Sequence, residues 1–377
     1  MKRHNPAETR RTILVTGGHV TPAIAVIDEI RSTHSSWTVV FVGRKYAFVG
    51  DRHVSEEFRL IAKRGIPFQH LTTGRLPRYP SLRSLLSLFG VPVGVVQALA
   101  YILRVRPDVV MSFGGYVAFP VVLAAKALGV PVVTHEQTHH VGLANRIIAR
   151  FADRVYVSFK ESLPYVPAGK SELSGLPIRD TILKGSASTS LSVPGERNIL
   201  YITGGSAGAV SLNEIVFPCI PSLVATYTVI HQTGRISESI AREVRRRLPK
   251  HLRRYYIAEP FVHEDDLAWI LHRARLVIGR SGANTVGEVA VLGIVALFIP
   301  LPWSAGGEQR VNAESLARLG SAVVLDQETL TPEKLLDEVA QADRHYDTYR
   351  NRARANLPRD PRNAVRTIVR GIEAYAS

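Results

Sequence analysis

The sequence predicts an α/β fold made of two doubly wound parallel sheets. Three observations carry that reading. Short β-rich apolar runs alternate with helix-like stretches. The alternation pauses once, across the Pro-, Gly- and Ser-rich residues 162–194, and then restarts. The chain is 377 residues long, more than one domain usually needs and comfortable for two.

In the first half, residues 12–15 read as a strand and 22–31 as a helix opened near Thr21. Residues 37–42 read as a second strand. A strand at 109–113, a helix through 121–128, a strand at 130–134, a helix through 143–151 and a strand at 154–157 follow. In the second half, 198–202 reads as a strand and 209–220 as a helix. Further strands are expected at 227–231, 255–258, 276–279 and 295–299, each separated by helix-like sequence. Residues 162–194 suit a linker. No short-period repeat or low-complexity tract interrupts the pattern.

Cys219 is the only cysteine, which excludes a disulfide framework and a thiol cluster for structural zinc. Residues 1–11 are polar and basic, and the apolar run at 13–15 is far too short for a secretory h-region. Lys plus Arg number 47 against 32 Asp plus Glu, a formal charge of +15. Such a balance favours an anionic partner. Nucleic acid is not expected, because no recognition module or basic run interleaved with aromatics is present. Arg245, Arg246, Arg247, Arg253 and Arg254 read as a solvated helix face.

Residues 84–103 carry no charge and lie between Arg83 and Arg104. Their length reaches the threshold of about 20 residues for a membrane span. Pro92, Gly90, Gly94 and Gln97 interrupt them, so two shorter elements are expected instead. The first, at 82–89, has Arg75, Arg78 and Arg83 beside it. That is the composition of a segment lying on an anionic bilayer.

Ligands of open α/β sheets sit at the carboxyl ends of strands, and every candidate motif falls at such an end. Thr16-Gly17-Gly18-His19 ends the first strand. Its glycines allow backbone N–H groups close to a phosphate, and His19 is placed to act as a general base. Ser112-Phe113-Gly114-Gly115-Tyr116 and His135-Glu136-Gln137 end two further strands. Glu136 would orient His19 or accept a hydroxyl proton itself. Gly204-Gly205-Ser206-Ala207-Gly208 ends 198–202 and fits two readings: the nucleophile elbow of a serine hydrolase, or a phosphate cradle. Arg280-Ser281-Gly282 opens a helix carrying Glu288, a carboxylate suited to ribose hydroxyls. Glu308-Gln309-Arg310-Val311-Asn312 suits hydrogen bonding to sugar hydroxyls.

Taken in order, TGGHVTPAIAV, SFGGYVAFP, GVPVVTHEQ, VGLANR, GLPIR, TGGSAGA, IHQTG, the RSGA block with Glu288, and EQRVNA resemble the MurG family. These transferases move N-acetylglucosamine from UDP-N-acetylglucosamine to lipid I, giving lipid II in bacterial wall synthesis. The resemblance covers nearly the whole chain. It implies a GT-B fold, two Rossmann-like domains facing across a cleft. Residues 1–175, with a C-terminal helix at about 360–377, would bind the acceptor and the membrane. Residues 176–359 would bind the donor.

By the same resemblance, Gly205 and Ser206 hold the diphosphate with charge from Arg179. Val262 meets the uracil, Arg280 and Ser281 shape that pocket, Glu288 holds the ribose, and Glu308 and Gln309 read the sugar. Thr16, Gly17, Gly18, Gly114, Gly115, Tyr116 and Asn145 lie on the acceptor side. His19 is the expected base, with Glu136 beside it. Leu82, Leu85, Leu86, Phe89, Arg75 and Arg83 meet the membrane. The implied location is peripheral, on the cytoplasmic face of the bacterial plasma membrane. The implied partners are lipid I and an anionic membrane surface. No cofactor and no metal are expected, since no Asp-x-Asp pair occurs.

Several positions depart from the family pattern. Leu14 and Val15 replace two glycines before Thr16. Thr138, Leu176 and Ala207 stand where Asn, Asn and Gln are usual, and Glu308 introduces a carboxylate. A hydrolase using Ser206 would need a histidine and a carboxylate after it, whereas a phosphate cradle needs a nearby cation and nucleotide contacts, for which Arg179 and Glu288 are candidates, so Ser206 is read as a phosphate ligand. Another glycolipid transferase or a nucleotide-sugar epimerase is the nearest alternative, and a non-enzymatic binding module is a further one.

Overall fold

The computed structural model describes residues 10–46, 54–73, 90–205 and 208–376. The chain divides into two compact units, Met1–Arg179 with Arg362–Ser377, and Asp180–Pro361.

The first unit holds seven strands: β1 Thr12–Thr16, β2 Thr38–Gly43, β3 Phe68–His70, β4 Val109–Ser112, β5 Val132–Glu136, β6 Arg154–Val157 and β7 Ser171–Leu173. Their order is β3-β2-β1-β4-β5-β6-β7, and every neighbouring pair is parallel. Parallel strands covered by helices on both faces bury both sets of side chains. β1 shows this directly. Ile13 and Val15 enter one core with helices Val20–Thr33 and Asn363–Tyr375, and Leu14 enters another with helices Gly90–Val105, Gly115–Ala127 and Leu143–Phe151. All three strand residues are fully buried, each worth about 1.5–3 kcal/mol of transfer free energy.

The second unit holds β8 Ile199–Thr203, β9 Thr228–Gln232, β10 Tyr256–Glu259, β11 Ala274–Gly279, β12 Val295–Phe298 and β13 Ala322–Val324. Their order is β10-β9-β8-β11-β12-β13, again parallel throughout. Leu200 and Ile202 of β8 pack with Leu276 and Ile278 of β11 and Leu297 of β12 in one large core.

Most expected strands appear within two residues of their sequence bounds. β3, β7 and β13 were not anticipated, because three residues give too little pattern to read. Residues 162–194 are not a continuous linker. They include β7, and Ser162 is fully buried with its hydroxyl donating to the Thr138 carbonyl at 2.7 Å. The expected helix at 209–220 is divided into Val210–Val216, a 3-10 turn at Phe217–Cys219, and Ile220–Thr226. Pro218 and Pro221 supply no N–H there, which breaks the regular ladder.

Arg246 and Arg247 are exposed on helix Glu238–Arg247 and pair with Glu243, as a solvated face would. Among the described residues no helix is long and apolar enough to cross a membrane. Helix Gly90–Val105 takes Pro92 in its first turn, where proline is tolerated. Arg75, Arg83, Leu82, Leu85, Leu86 and Phe89 lie outside the described residues.

The last helix, Asn363–Tyr375, returns to the first unit and buries Val365, Ile368, Val369 and Ile372 in its core. Ile368→Ala is therefore expected to destabilise the first unit by about 2–5 kcal/mol. Urea unfolding measures this, and a loss below about 0.5 kcal/mol would contradict the packing.

Candidate active site

Each sheet reverses its strand order at one point, between β1 and β4 in the first unit and between β8 and β11 in the second. Ligands of such sheets bind beyond the carboxyl ends of the strands at this reversal. The sequence motifs fall at both places.

In the first unit the ends of β1 and β4 meet backbone to backbone. Phe113 N–H donates to the Thr16 carbonyl at 2.7 Å, and Gly18 N–H donates to the Gly114 carbonyl at 2.9 Å. Gly17 has φ +145°, and a Cβ there would lie 2.8 Å from the Phe113 main chain. Only glycine fits. His19 follows, half-buried, with Nδ1 2.9 Å from the Phe113 carbonyl oxygen. A carbonyl only accepts, so Nδ1 directs a hydrogen to it and Nε2 is the ring nitrogen left outside that bond. Thr16 itself is fully buried.

Glu136 ends β5 and is 3% exposed. Its Oε1 accepts from Thr138 N–H at 2.9 Å and from the Thr138 hydroxyl at 2.8 Å. Its Oε2 accepts from the Asn145 amide, and Asn145 Oδ1 in turn accepts from Gly115 N–H at 2.7 Å. The carboxylate therefore fixes the Gly114-Gly115 loop. His19 takes its orientation from the Phe113 carbonyl and not from Glu136. Gly114, at φ +70°, leaves the space that Asn145 fills. Tyr116 lies under the Arg44 guanidinium, 4.9 Å from the ring centre. Burial pushes His135 down to about 3, so it is a neutral core residue.

In the second unit, Gly279 has no room for a Cβ, which would lie 2.4 Å from the Thr203 carbonyl oxygen. β8 and β11 therefore end in close contact. Gly204 would press a Cβ to 2.4 Å from Ala209 N, and Gly208, at φ +74°, to 2.5 Å from Gly234. Gly205, at φ +85°, faces open space. Its carbonyl accepts from Gly208 N–H and from Gln232 Nε2, both at 3.0 Å, so the loop closes on itself. Ser206 and Ala207 lie outside the described residues.

Arg280 follows β11 and is 4% exposed. Its guanidinium donates to the Ile299 carbonyl at 2.8 Å, to Ser211 Oγ at 2.9 Å and to Gln327 Oε1. Among the described residues no carboxylate pairs with it, and its Nε is buried without a partner. Burial pushes its pKa down to about 10, so it stays a cation at neutral pH. It borders a cavity of about 520 Å³ shared with Gly204, Gly208, Ser211, Trp303 and Gln309. That volume suits a small-molecule site, typically about 300–1,000 Å³.

The remaining expected residues are distributed around these loops. The Ser281 hydroxyl donates to the Gln309 carbonyl at 2.7 Å, and Gln309 Oε1 accepts from Leu301 N–H at 3.0 Å. Glu308 opens helix Glu308–Arg318. Glu288 is buried on helix Ala283–Leu292, and Val262 is buried beyond β10. Arg179 is buried and is the last residue of the first unit's long segment. Ser211, Gln327 and Trp303 were not singled out from sequence, and Gln232 was quoted only within IHQTG. Gln327 follows β13, a strand too short to flag, and isolated polar residues give no spacing signal.

Residues 14–157 match the glycosyltransferase family 28 N-terminal domain and residues 199–368 match the family 28 C-terminal domain. A Bacillus cereus protein is 32% identical over 372 residues, covering 96% of this chain and 99% of its own. It is named UDP-N-acetylglucosamine–N-acetylmuramyl-(pentapeptide) pyrophosphoryl-undecaprenol N-acetylglucosamine transferase 2. A Lachnospira eligens protein with the same transferase name, without the numeral, is 35% identical over 338 residues, covering 88% of this chain and 90% of its own. The chain belongs to the MurG family.

The crystal structure of Acinetobacter baumannii MurG superposes with a TM-score of 0.65 at 26% identity, covering 96% of this chain and 99% of that one. UDP-GlcNAc 2-epimerase from Neisseria meningitidis superposes with a TM-score of 0.67 at 11% identity over 97% of this chain and 100% of its own, which shows a shared fold alone. Against the MurG pattern, the Leu14-Val15 departure falls inside β1, where both side chains are buried in the two cores. Gly17 and Gly18 of the loop are retained. Thr138, in place of asparagine, still supplies two hydrogen bonds to Glu136.

Two predictions follow from this geometry. Gly17→Ala pushes the end of β4 away and is expected to cost about 1–3 kcal/mol in urea unfolding, whereas a change under about 0.5 kcal/mol would contradict the contact. The second concerns His231, fully buried between Tyr256 and Asn213, with its pKa pushed down to about 3. Below the ordinary histidine value of about 6.5, the unfolded chain binds a proton that the folded chain refuses, so stability falls with pH and is unaffected above it. Between about pH 6 and 4, the native protein's stability should fall more steeply than that of His231→Asn, by about 1.4 kcal/mol per pH unit. Equal slopes would contradict a neutral buried imidazole.

Proposed function

We propose that this chain transfers N-acetylglucosamine from UDP-N-acetylglucosamine to the muramyl 4-hydroxyl of undecaprenyl-pyrophosphoryl-MurNAc-pentapeptide, converting lipid I to lipid II in peptidoglycan synthesis. The observation that carries this reading is identity of 32% across 96% of the chain to a transferase of that name. The geometry of each sheet reversal supports it.

The second unit takes the donor. The Gly204–Gly208 loop lies beside the diphosphate, and Arg280 supplies positive charge. A buried cation without a counter-ion is costly, and a diphosphate would offset that cost. Gly205 and Ser206 add phosphate contacts, Val262 and Ser281 border the uracil, Glu288 holds the ribose, and Glu308 and Gln309 read the sugar.

The first unit takes the acceptor. Its pyrophosphate lies near Thr16, Gly17, Gly18 and the Gly114-Gly115-Tyr116 loop, which Asn145 and Glu136 hold in place. His19 Nε2 accepts the proton of the muramyl hydroxyl. The hydroxyl oxygen forms a bond to the anomeric carbon as that carbon's bond to the diphosphate oxygen breaks. UDP leaves with the electron pair. One displacement inverts the anomeric centre, so an α-linked donor gives a β-linkage. Glu136 acts through Asn145 as a positioning residue.

A serine hydrolase is not favoured. His231 is sequestered by Tyr256 and Asn213, and His272 lies 2.8 Å from the Ile182 carbonyl oxygen.

The chain sits on the anionic cytoplasmic leaflet of the bacterial membrane through residues 82–89, an apolar segment with Arg75, Arg78 and Arg83 beside it. Val93, Val96 and Leu103 of helix Gly90–Val105 are exposed, which gives that helix an apolar face of its own for the membrane. Val93→Asp with Val96→Asp should reduce sedimentation with anionic vesicles, and undiminished binding would count against this contact.

His19→Ala is expected to lower kcat at least about a hundredfold on a lipid I analogue. Calorimetric affinity for UDP-N-acetylglucosamine should stay within about twofold, since His19 acts on the other substrate. Native turnover in the variant would remove His19 from the base role.

A further inference from the structure

The chain has three tryptophans. Trp37 packs against His34 with ring centres 4.2 Å apart and the rings tilted by 34°, and Arg273 covers Trp269 at 4.5 Å. Trp303 is 66% exposed, and among the described residues no ring or cation packs on it. A large aromatic surface left in water is unfavourable, so its position calls for a physical reason.

The local backbone holds Trp303 in place. Ser304 N–H donates to the Leu301 carbonyl at 3.1 Å, closing a turn with Pro302 and Trp303 at its centre. Proline presets the first central position of such a turn. The turn is tied at both ends to Gln309. Leu301 N–H donates to Gln309 Oε1 at 3.0 Å, and Gln309 N–H donates to Ser304 Oγ at 3.3 Å. An exposed side chain on a floppy loop would lose much entropy on binding, but this one starts from a fixed backbone. The indole borders the cavity that also touches Gly204, Gly208, Arg280 and Gln309.

We propose that Trp303 is a stacking platform for the donor's amino sugar, a specificity-determining residue resting on the donor reading given above. A pyranose has one face of C–H bonds and a rim of hydroxyls. The C–H face pairs with the electron-rich face of an indole, while the rim is left to polar groups such as the Gln309 amide. In this cavity the glycine loop and Arg280 take the diphosphate, and the sugar one bond beyond it meets Trp303. The platform contributes to the sugar and not to the nucleotide. It therefore favours intact UDP-sugar over the UDP product.

The test is calorimetric titration of UDP-N-acetylglucosamine and of UDP into the native chain, Trp303→Ala and Trp303→Phe. Trp303→Ala should weaken UDP-N-acetylglucosamine by about tenfold and UDP by less than about twofold. Trp303→Phe keeps an aromatic face and should stay within about threefold of native for both. Because Trp303 is exposed, the variants should melt with the native protein. Equal weakening of both ligands, or no weakening of either, overturns the assignment to the sugar while leaving the donor reading standing. A native chain that binds neither ligand overturns both.

Discussion

The main-chain contact between adjacent parallel strands at their carboxyl ends governs the rest of the structure. At the β1/β4 reversal Gly17 lies against Phe113, and at the β8/β11 reversal Gly279 lies against Thr203. Neither position has room for one more carbon. Close approach brings the loops beyond the strands together and aims their polar groups at one place in each unit. The cores beneath are apolar on both faces of each sheet, so the strand ends have little freedom to part. The sites are therefore consequences of how tightly the sheets close.

The two reversals carry different chemistry. In the first unit a backbone carbonyl takes a hydrogen from His19 Nδ1 and so orients Nε2. A buried carboxylate, Glu136, spends its oxygens on Thr138 and Asn145 and so holds the neighbouring glycine loop. In the second unit the prominent group is a cation. Arg280 is held by neutral oxygens from Ile299, Ser211 and Gln327, which leaves its charge uncancelled within the described residues. An oriented imidazole on one unit and an unpaired buried cation on the other match the needs of an alcohol acceptor and an anionic leaving group.

Much of this was legible in the sequence. Gly17, Gly114, Gly204 and Gly208 stood out because glycine pairs at strand ends report tight backbone approach, and each does have a neighbour that excludes a side chain. The long apolar strands were legible because burial on both faces removes polar residues from them. The three-residue strands were not, since register and neighbours make them rather than composition. The partners of the site side chains were also hidden. Nothing in the spacing of Gln327 or Ser211 announces that they grip Arg280, and nothing around Phe113 shows that its carbonyl orients His19. Such contacts depend on which strands become neighbours, and non-local topology sets that. Leu14 and Val15 replace two glycines of the family pattern, and they lie within β1, where apolar side chains are what the cores require.

The account rests on close backbone approach forming a diphosphate site, and the heat of UDP binding to the native chain and to Gly204→Ala tests it most directly. A Cβ at Gly204 would lie 2.4 Å from Ala209 N and force the loop open. Native protein should bind UDP, and the variant should bind at least about tenfold more weakly with unchanged helical circular dichroism. Equal affinity in the two proteins, or no heat from the native chain, would contradict the account.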